Sequence, residues 1–318
     1  MAAPIPDTAR GPAVDMQKGY LVEEIRDGLY WATEGAYQVM FLITGQGVIV
    51  CDAPASIGGN ILNAIAEVTS EPVTHVILGH SHSDHIGAAS VFPGEVTYIG
   101  HELTAATLRR HQDPRRPVPT VTFADTYTLE VGSQTLVLDY KGVNHEPGNI
   151  FVYAPRQKVL FFVDVVFPGW VPFKNCAMTE DVPGFLKAHE QVLGYDFDTL
   201  VAGHLTRLGS RQDVEVQRDY FRDVRAACEA ALRSVNWMEV AGEVGWDNLW
   251  VVFDAYLDRV AETAAAEVTP RWLGRLAAAD VFTTDHCWTM MESLRIDGGM
   301  VPGMSGVAEA GPQWAADR

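Results

Sequence analysis

The chain reads as an α+β protein in which two sheets pack on one another with helices outside them, followed by a helical extension. Three observations predict this. Short segments rich in β-branched and aromatic residues recur in two blocks before Asp213. Segments of helical periodicity separate and follow those blocks. From Asp213 onward the pattern changes to long apolar stripes at helical spacing.

Residues 1–19 contain Pro and Ala without periodicity and read as an arm, lying on the surface or reaching a neighbouring subunit. Residues 21–25, 29–33, 37–44 and 48–52 read as a meander of hairpins, with turn signals at Asp27-Gly28 and Gly45-Gln46-Gly47. Residues 57–69 carry apolar side chains at helical spacing and return the chain to a buried strand at 76–78. A helix at 85–91, a strand at 96–99 and a helix at 102–111 follow. Strands return at 121–123, 127–131, 134–140, 150–153 and 159–163. A helix over 183–193, with Pro183 in its first turn, precedes a short strand at 198–202. Residues 20–212 therefore form one scaffold. Residues 213–297 form a helical extension with stripes through Tyr220–Val235 and Leu249–Ala264 and further helices at 271–279 and 284–294. Residues 298–318, rich in Gly, Pro and Ala, read as a tail.

Composition excludes several function classes. A chain of 318 residues with 47% hydrophobic content can bury a large core. No apolar run approaches the roughly 20 residues of a membrane span, and the first residues lack a basic start followed by an apolar block. A cytoplasmic location with no membrane partner is expected. Cys51, Cys176, Cys228 and Cys287 form no CxxC pair, so no disulfide is expected. The net charge of -18 argues against nucleic acid as a partner. The compact basic cluster of Arg109, Arg110, Arg115 and Arg116 reads as a solvated helix end running into prolines.

The chemistry concentrates at VILGHSHSDH, residues 76–85, where three histidines and an aspartate crowd into six positions after a strand and a glycine. Alternation with period two lets His80 and His82 face one ion, while Asp84 and His85 follow on the loop and face a second. Imidazole and carboxylate suit a borderline divalent ion such as zinc, with manganese or iron as alternatives.

Downstream come GVNHEPGN with His145, LFFVDVVF with Asp164 and LVAGHLTRLG with His204. Together with His80, His82, Asp84 and His85, this order of motifs resembles the metallo-β-lactamase superfamily over about residues 21–208. The resemblance implies a four-layer αβ/βα sandwich with two metal ions at one edge of the sheets. His80, His82 and His145 would hold one ion, Asp84, His85 and His204 the other, and Asp164 would bridge them. It further implies a hydrolase working through a metal-bridging hydroxide, with Asp84 both a ligand and the group that orients that hydroxide. His75, His101, His111, His189 and His286 are left over, and His101 is the one to watch beside the ligands.

Departures narrow the substrate. The best-known zinc β-lactamases lack an aspartate at the position of Asp164. Glyoxalase II, a thioester hydrolase, has different flanks around its last histidine, and acyl-homoserine-lactone lactonases carry a tyrosine where this chain has Phe167. The loop VVFPGWVPFKN offers Phe167, Trp170 and Phe173 as a pocket wall. The expectation is an ester, lactone or amide bond in a rather apolar small molecule. The alternatives are thioester or phosphodiester hydrolysis, or an iron-dependent oxidoreductase of the same fold such as a persulfide dioxygenase. A homo-oligomer through the C-terminal helices or terminal arms is also expected.

Overall fold

The alternating apolar segments become two sheets in the computed structural model, which describes residues 2–300. The first sheet runs in chain order through β1 (Leu21–Arg26), β2 (Leu29–Thr33), β3 (Gln38–Ile43), β4 (Val48–Cys51), β5 (Val73–Leu78), β6 (Thr97–His101) and β7 (Val121–Phe123). It is antiparallel from β1 to β4 and parallel from β4 to β7. Three helices belong to its crossovers: α1 (Asn60–Val68), the short α2 (Ser83–Ile86) and α3 (Glu102–His111). The second sheet has the order β12-β11-β10-β9-β8, with β8 at Thr126–Val131, β9 at Gln134–Asp139, β10 at Phe151–Ala154, β11 at Val159–Phe161 and β12 at Thr199–Val201. The later helices are α4 (Lys174–Met178), α5 (Val182–Leu193), α6 (Arg211–Ser234), α7 (Trp237–Val244), α8 (Leu249–Trp272) and α9 (Ala279–Ile296).

Strand β3 shows why both faces of the first sheet are apolar. Val39 and Phe41 join Ile61, Ala64 and Ile65 of α1 in one buried cluster. Met40 and Leu42 point the other way and join Leu136, Leu138, Val152 and Phe161 of the second sheet. A strand covered by a helix on one side and a sheet on the other must read as an unbroken apolar run. Each such side chain contributes roughly 1.5–3 kcal/mol by leaving water.

The chain divides into two compact units. One takes Asp7–Gly169 and Thr179–Gln217 and contains both sheets; the other takes the helices from Arg218 on, residues 170–178 and the N-terminal residues up to Pro6. In the second unit the Tyr220 hydroxyl meets His286 Nδ1 at 2.8 Å and Thr283 Oγ1 at 3.0 Å, and its ring stands edge-on to Trp272.

Several elements differ from the sequence reading. The helix expected over 85–91 is α2 plus a separate 3-10 turn at Ala89–Val91. The helix expected over 271–279 does not form. Helix α8 instead continues through Pro270 to Trp272, because Val268 and Trp272 extend its buried face and outweigh the hydrogen bond that proline forfeits. A turn follows and α9 starts at Ala279. Helix α7 is capped by Asn236, whose side chain accepts from Met238 N. Asn175, Cys176, Ala177 and Met178 all have positive φ, a left-handed turn that no glycine announces. The tail from residue 301 onward lies outside the described residues. Among the described residues no helix is long and apolar enough to cross a membrane. All four cysteines are buried and free.

Candidate metal centre

Four loops bring the seven residues together. His80 leaves the end of β5, and His82 is the N-cap of α2, whose first turn carries Asp84 and His85. His145 lies on the loop before β10, Asp164 just beyond β11 and His204 just beyond β12. Ligand atoms of His80, His82, His145 and Asp164 lie within 4.8 Å of one another, and those of Asp84, His85 and His204 form a second group by the same measure.

Asp164 faces both groups at once. Its Oδ2 lies 3.2 Å from His80 Nε2 and 3.3 Å from His145 Nε2, while its Oδ1 lies 3.0 Å from His85 Nε2 and 2.7 Å from His204 Nε2. Its φ of 65° is one of the left-handed values that Asp tolerates better than most residues. Gly203, just before His204, has φ 86°, and a Cβ there would sit 2.5 Å from Val163 and 3.1 Å from the His85 ring. Only glycine lets the last loop approach the site this closely.

Four residues that sequence reasoning passed over hold this arrangement. Glu146 is buried. Its Oε1 accepts from Ser81 N at 2.5 Å, and its Oε2 lies 3.1 Å from Ser81 Oγ and 3.2 Å from His82 Nε2. That leaves His82 Nδ1 turned inward, 3.0 Å from His145 Nε2. Tyr37 donates its hydroxyl to Asp84 Oδ2 at 3.1 Å and packs its ring against His204 at 4.6 Å. Gln38, fully buried, donates to the carbonyls of His204, Leu205 and Arg207 and accepts from Ala202 N. Asn149 ties the His145 loop to Val163 O beside Asp164.

Electrostatics follow from burial among carboxylates. Burial opposes charge on His85, but Asp164, Asp52 and Asp84 overcome it and raise the imidazole to about 9. Burial lowers His145 to about 3 and His80 to about 4, the latter against the pull of the Asp164 carboxylate, which favours the charged ring. Asp164 is itself buried, yet His85 and His145 hold its carboxyl well below the usual range. Burial pushes Asp52, which accepts from Gly79 N and lies 3.8 Å from His85 Nδ1, up to about 7.

The donor set suits divalent ions. It consists of imidazole nitrogens and carboxylate oxygens with no sulfur, which matches zinc, manganese or iron(II). Both His80 nitrogens, His145 Nδ1 and Asp164 Oδ1 are buried without a hydrogen-bond partner of good geometry. Buried polar atoms are rarely left so, and a cation on the inward nitrogens and oxygens would satisfy those that face the centre.

The other candidates are placed as follows. Phe167 is buried and stacks on His204 with ring centres 5.3 Å apart. Trp170 and Phe173 belong to the helical unit, where Trp170 pairs with Ala277 and Phe173 stands edge-on to Phe282. His101 caps α3 through its Nδ1, which accepts from Leu103 N, and its Nε2 meets Ala124 O at 2.7 Å.

A family model described as the metallo-β-lactamase superfamily matches residues 33–204. Among curated proteins, the α subunit of 2,4-dinitroanisole O-demethylase from Nocardioides sp. strain JS1661 is 29% identical over 227 residues, 68% of this chain and 66% of that protein. The β subunit of the same enzyme is 26% identical over 170 residues, 51% of this chain and 50% of that protein. A metallo-β-lactamase type 2 from Elizabethkingia meningoseptica is 28% identical over 151 residues, 44% of this chain and 59% of that protein. The matches thus span 66% or less of these relatives' lengths. A solved metallo-β-lactamase from Pontibacter korlensis superposes with a TM-score of 0.53 at 22% identity, covering 63% of this chain and 97% of that one.

Proposed function

Because the chain belongs to the metallo-β-lactamase superfamily, we propose that it is a dinuclear metal-dependent hydrolase, with zinc the first metal to test, acting on an ester, lactone or amide bond of a rather apolar small molecule. The observation that carries this reading is Asp164, whose two oxygens address two separate sets of imidazoles. In it His80, His82 and His145 would hold one ion and Asp84, His85 and His204 the other, with Asp164 facing both groups. Bound there, two divalent ions would lower the pKa of a water to near neutrality and polarise the electrophile.

The chain's own residues supply position. Glu146 fixes which nitrogen His82 turns inward, and Gln38 clamps the loop that carries His204. Asp84 is about half exposed, and Tyr37 holds its Oδ2. The Asp84 carboxylate would accept a proton of a water bound there and so orient it. Phe167 covers His204 and keeps that side of the centre dry.

A second reading is favoured by one comparison. The O-demethylase relative is named for removing a methyl group from an aromatic ether, so cleavage of such an ether belongs among the reactions to test. The zinc-, manganese- and iron-loaded protein would be assayed against esters, lactones, amides, thioesters, phosphodiesters, β-lactams and 2,4-dinitroanisole. Turnover without oxygen consumption, with methanol rather than formaldehyde released from the ether, supports hydrolysis. Formaldehyde formed only with iron and dioxygen overturns it in favour of an oxidoreductase.

A further inference from the structure

A cavity of about 320 Å³ lies beside the centre, at the small end of the roughly 300–1,000 Å³ typical of small-molecule sites. It opens onto His82, whose side chain is 36% exposed, against 0–21% for the other four histidines of the cluster. One wall is a single face of α3, where Leu103, Ala106, Thr107 and Arg110 follow the i, i+3, i+4, i+7 spacing that aligns side chains along a helix. Leu103 at the near end is an exposed apolar side chain, and Arg110 stands two turns away.

Arg110 differs from Arg115 and Arg116 of the basic cluster, and unlike Arg109 it lines the cavity. Arg115 and Arg116 are both held by Asp113. Arg110 donates to Thr107 Oγ1 at 3.1 Å, and among the described residues no carboxylate pairs with it. Its guanidinium is therefore open to an anionic ligand at the cavity wall. It presents a planar fork that matches a carboxylate in two hydrogen bonds. The exposed Glu180 and the buried Glu146 also line the cavity and oppose a second negative charge, so a monoanion is favoured over a phosphate dianion.

We propose that this cavity receives the non-reacting part of the substrate, and that the substrate is a small carboxylic acid. Its apolar body lies on Leu103 and Ala106, its carboxylate on Arg110, and its scissile bond is presented toward His82. This deepens the hydrolase reading and rests on it for the direction in which the scissile bond points.

Phenylacetate and its neutral counterpart phenylacetamide are the probes. Binding is measured by ligand-observed NMR titration of the full chain, loaded with zinc and after chelation, with metal content determined on the same samples. Phenylacetate should bind at least tenfold tighter than phenylacetamide in both states. Arg110→Gln should bring the two within about threefold of each other, and Glu180→Gln should widen the preference. An Arg110→Gln protein that keeps the full preference overturns the proposal, as does a preference that disappears on chelation. Failure of the hydrolase reading looks different: the protein would take up no metal yet keep its Arg110-dependent preference.

Discussion

Glu146→Gln and Glu146→Ala separate what holds the fold from what holds the metal. The native carboxylate serves a backbone N–H, a hydroxyl and an imidazole, all on the loop that carries His80, His82 and Asp84. Alanine leaves the buried Ser81 N–H without an acceptor, at a cost of roughly 1–3 kcal/mol. It also frees the His82 ring to rotate, and losing such a partner typically weakens metal binding 10–100-fold, equivalent to about 1.4–2.7 kcal/mol. Glutamine is the sharper test. Its oxygen still accepts from Ser81 N, but its amide then faces His82 Nε2 with protons. The imidazole must accept there and carry its own proton on Nδ1, the nitrogen turned toward His145. Glu146→Gln should therefore unfold within about 1 kcal/mol of wild type when metal-free, yet lose the His80, His82 and His145 ion about 10–100-fold. Glu146→Ala should lose both. Calorimetric metal titration, with cobalt(II) absorption to identify the site, reads the affinity, and denaturant unfolding of chelated protein reads the stability. A glutamine variant binding two ions with wild-type affinity would refute the orienting role.

Two further outcomes follow from the same geometry. Tyr37→Phe removes the donor to Asp84 but keeps the ring on His204, so affinity at the Asp84, His85 and His204 group should fall by about 1 kcal/mol, roughly fivefold, with the other group unchanged in cobalt(II) titration. Burial holds His286 down at about 4, against 6.5 for a free imidazole, although the Phe173 carbonyl beside its Nε2 favours the charged ring. Its folded form therefore takes up a proton later than its unfolded form, and stability is lost as pH falls from 6.5 toward 4, by about 3 kcal/mol in total. His286→Gln should flatten that acid limb in denaturant unfolding; an unchanged slope would show that the ring titrates normally.

What was legible in the sequence is what leaves a local mark. His80, His82, Asp84 and His85 stand within six residues, and His145, Asp164 and His204 each follow a turn or strand that points them inward, so the gathering of the seven was visible in one dimension. The two-faced burial of β3 and β4 was visible as unbroken apolar runs. Glu146 was not, because its partners Ser81 and His82 are brought to it only when the loop after β5 meets the loop before β10. Tyr37 and Gln38 read as ordinary strand residues, since nothing local says that β3 begins beside His204. The left-handed turn at Asn175–Met178 contains none of the glycines that usually reveal one. Helix α8 passed its proline because tertiary burial of Trp272 decided the end of the helix, not local propensity.

Metal stoichiometry tests the central claim most directly. Protein purified without chelator, offered excess zinc and desalted, should carry two ions per chain by elemental analysis. Asp164→Asn, which keeps one ligating oxygen and replaces the other with an amide that cannot ligate, should carry one. A wild-type chain that holds one ion or none, or an Asp164→Asn variant that still holds two, would contradict a centre bridged by Asp164.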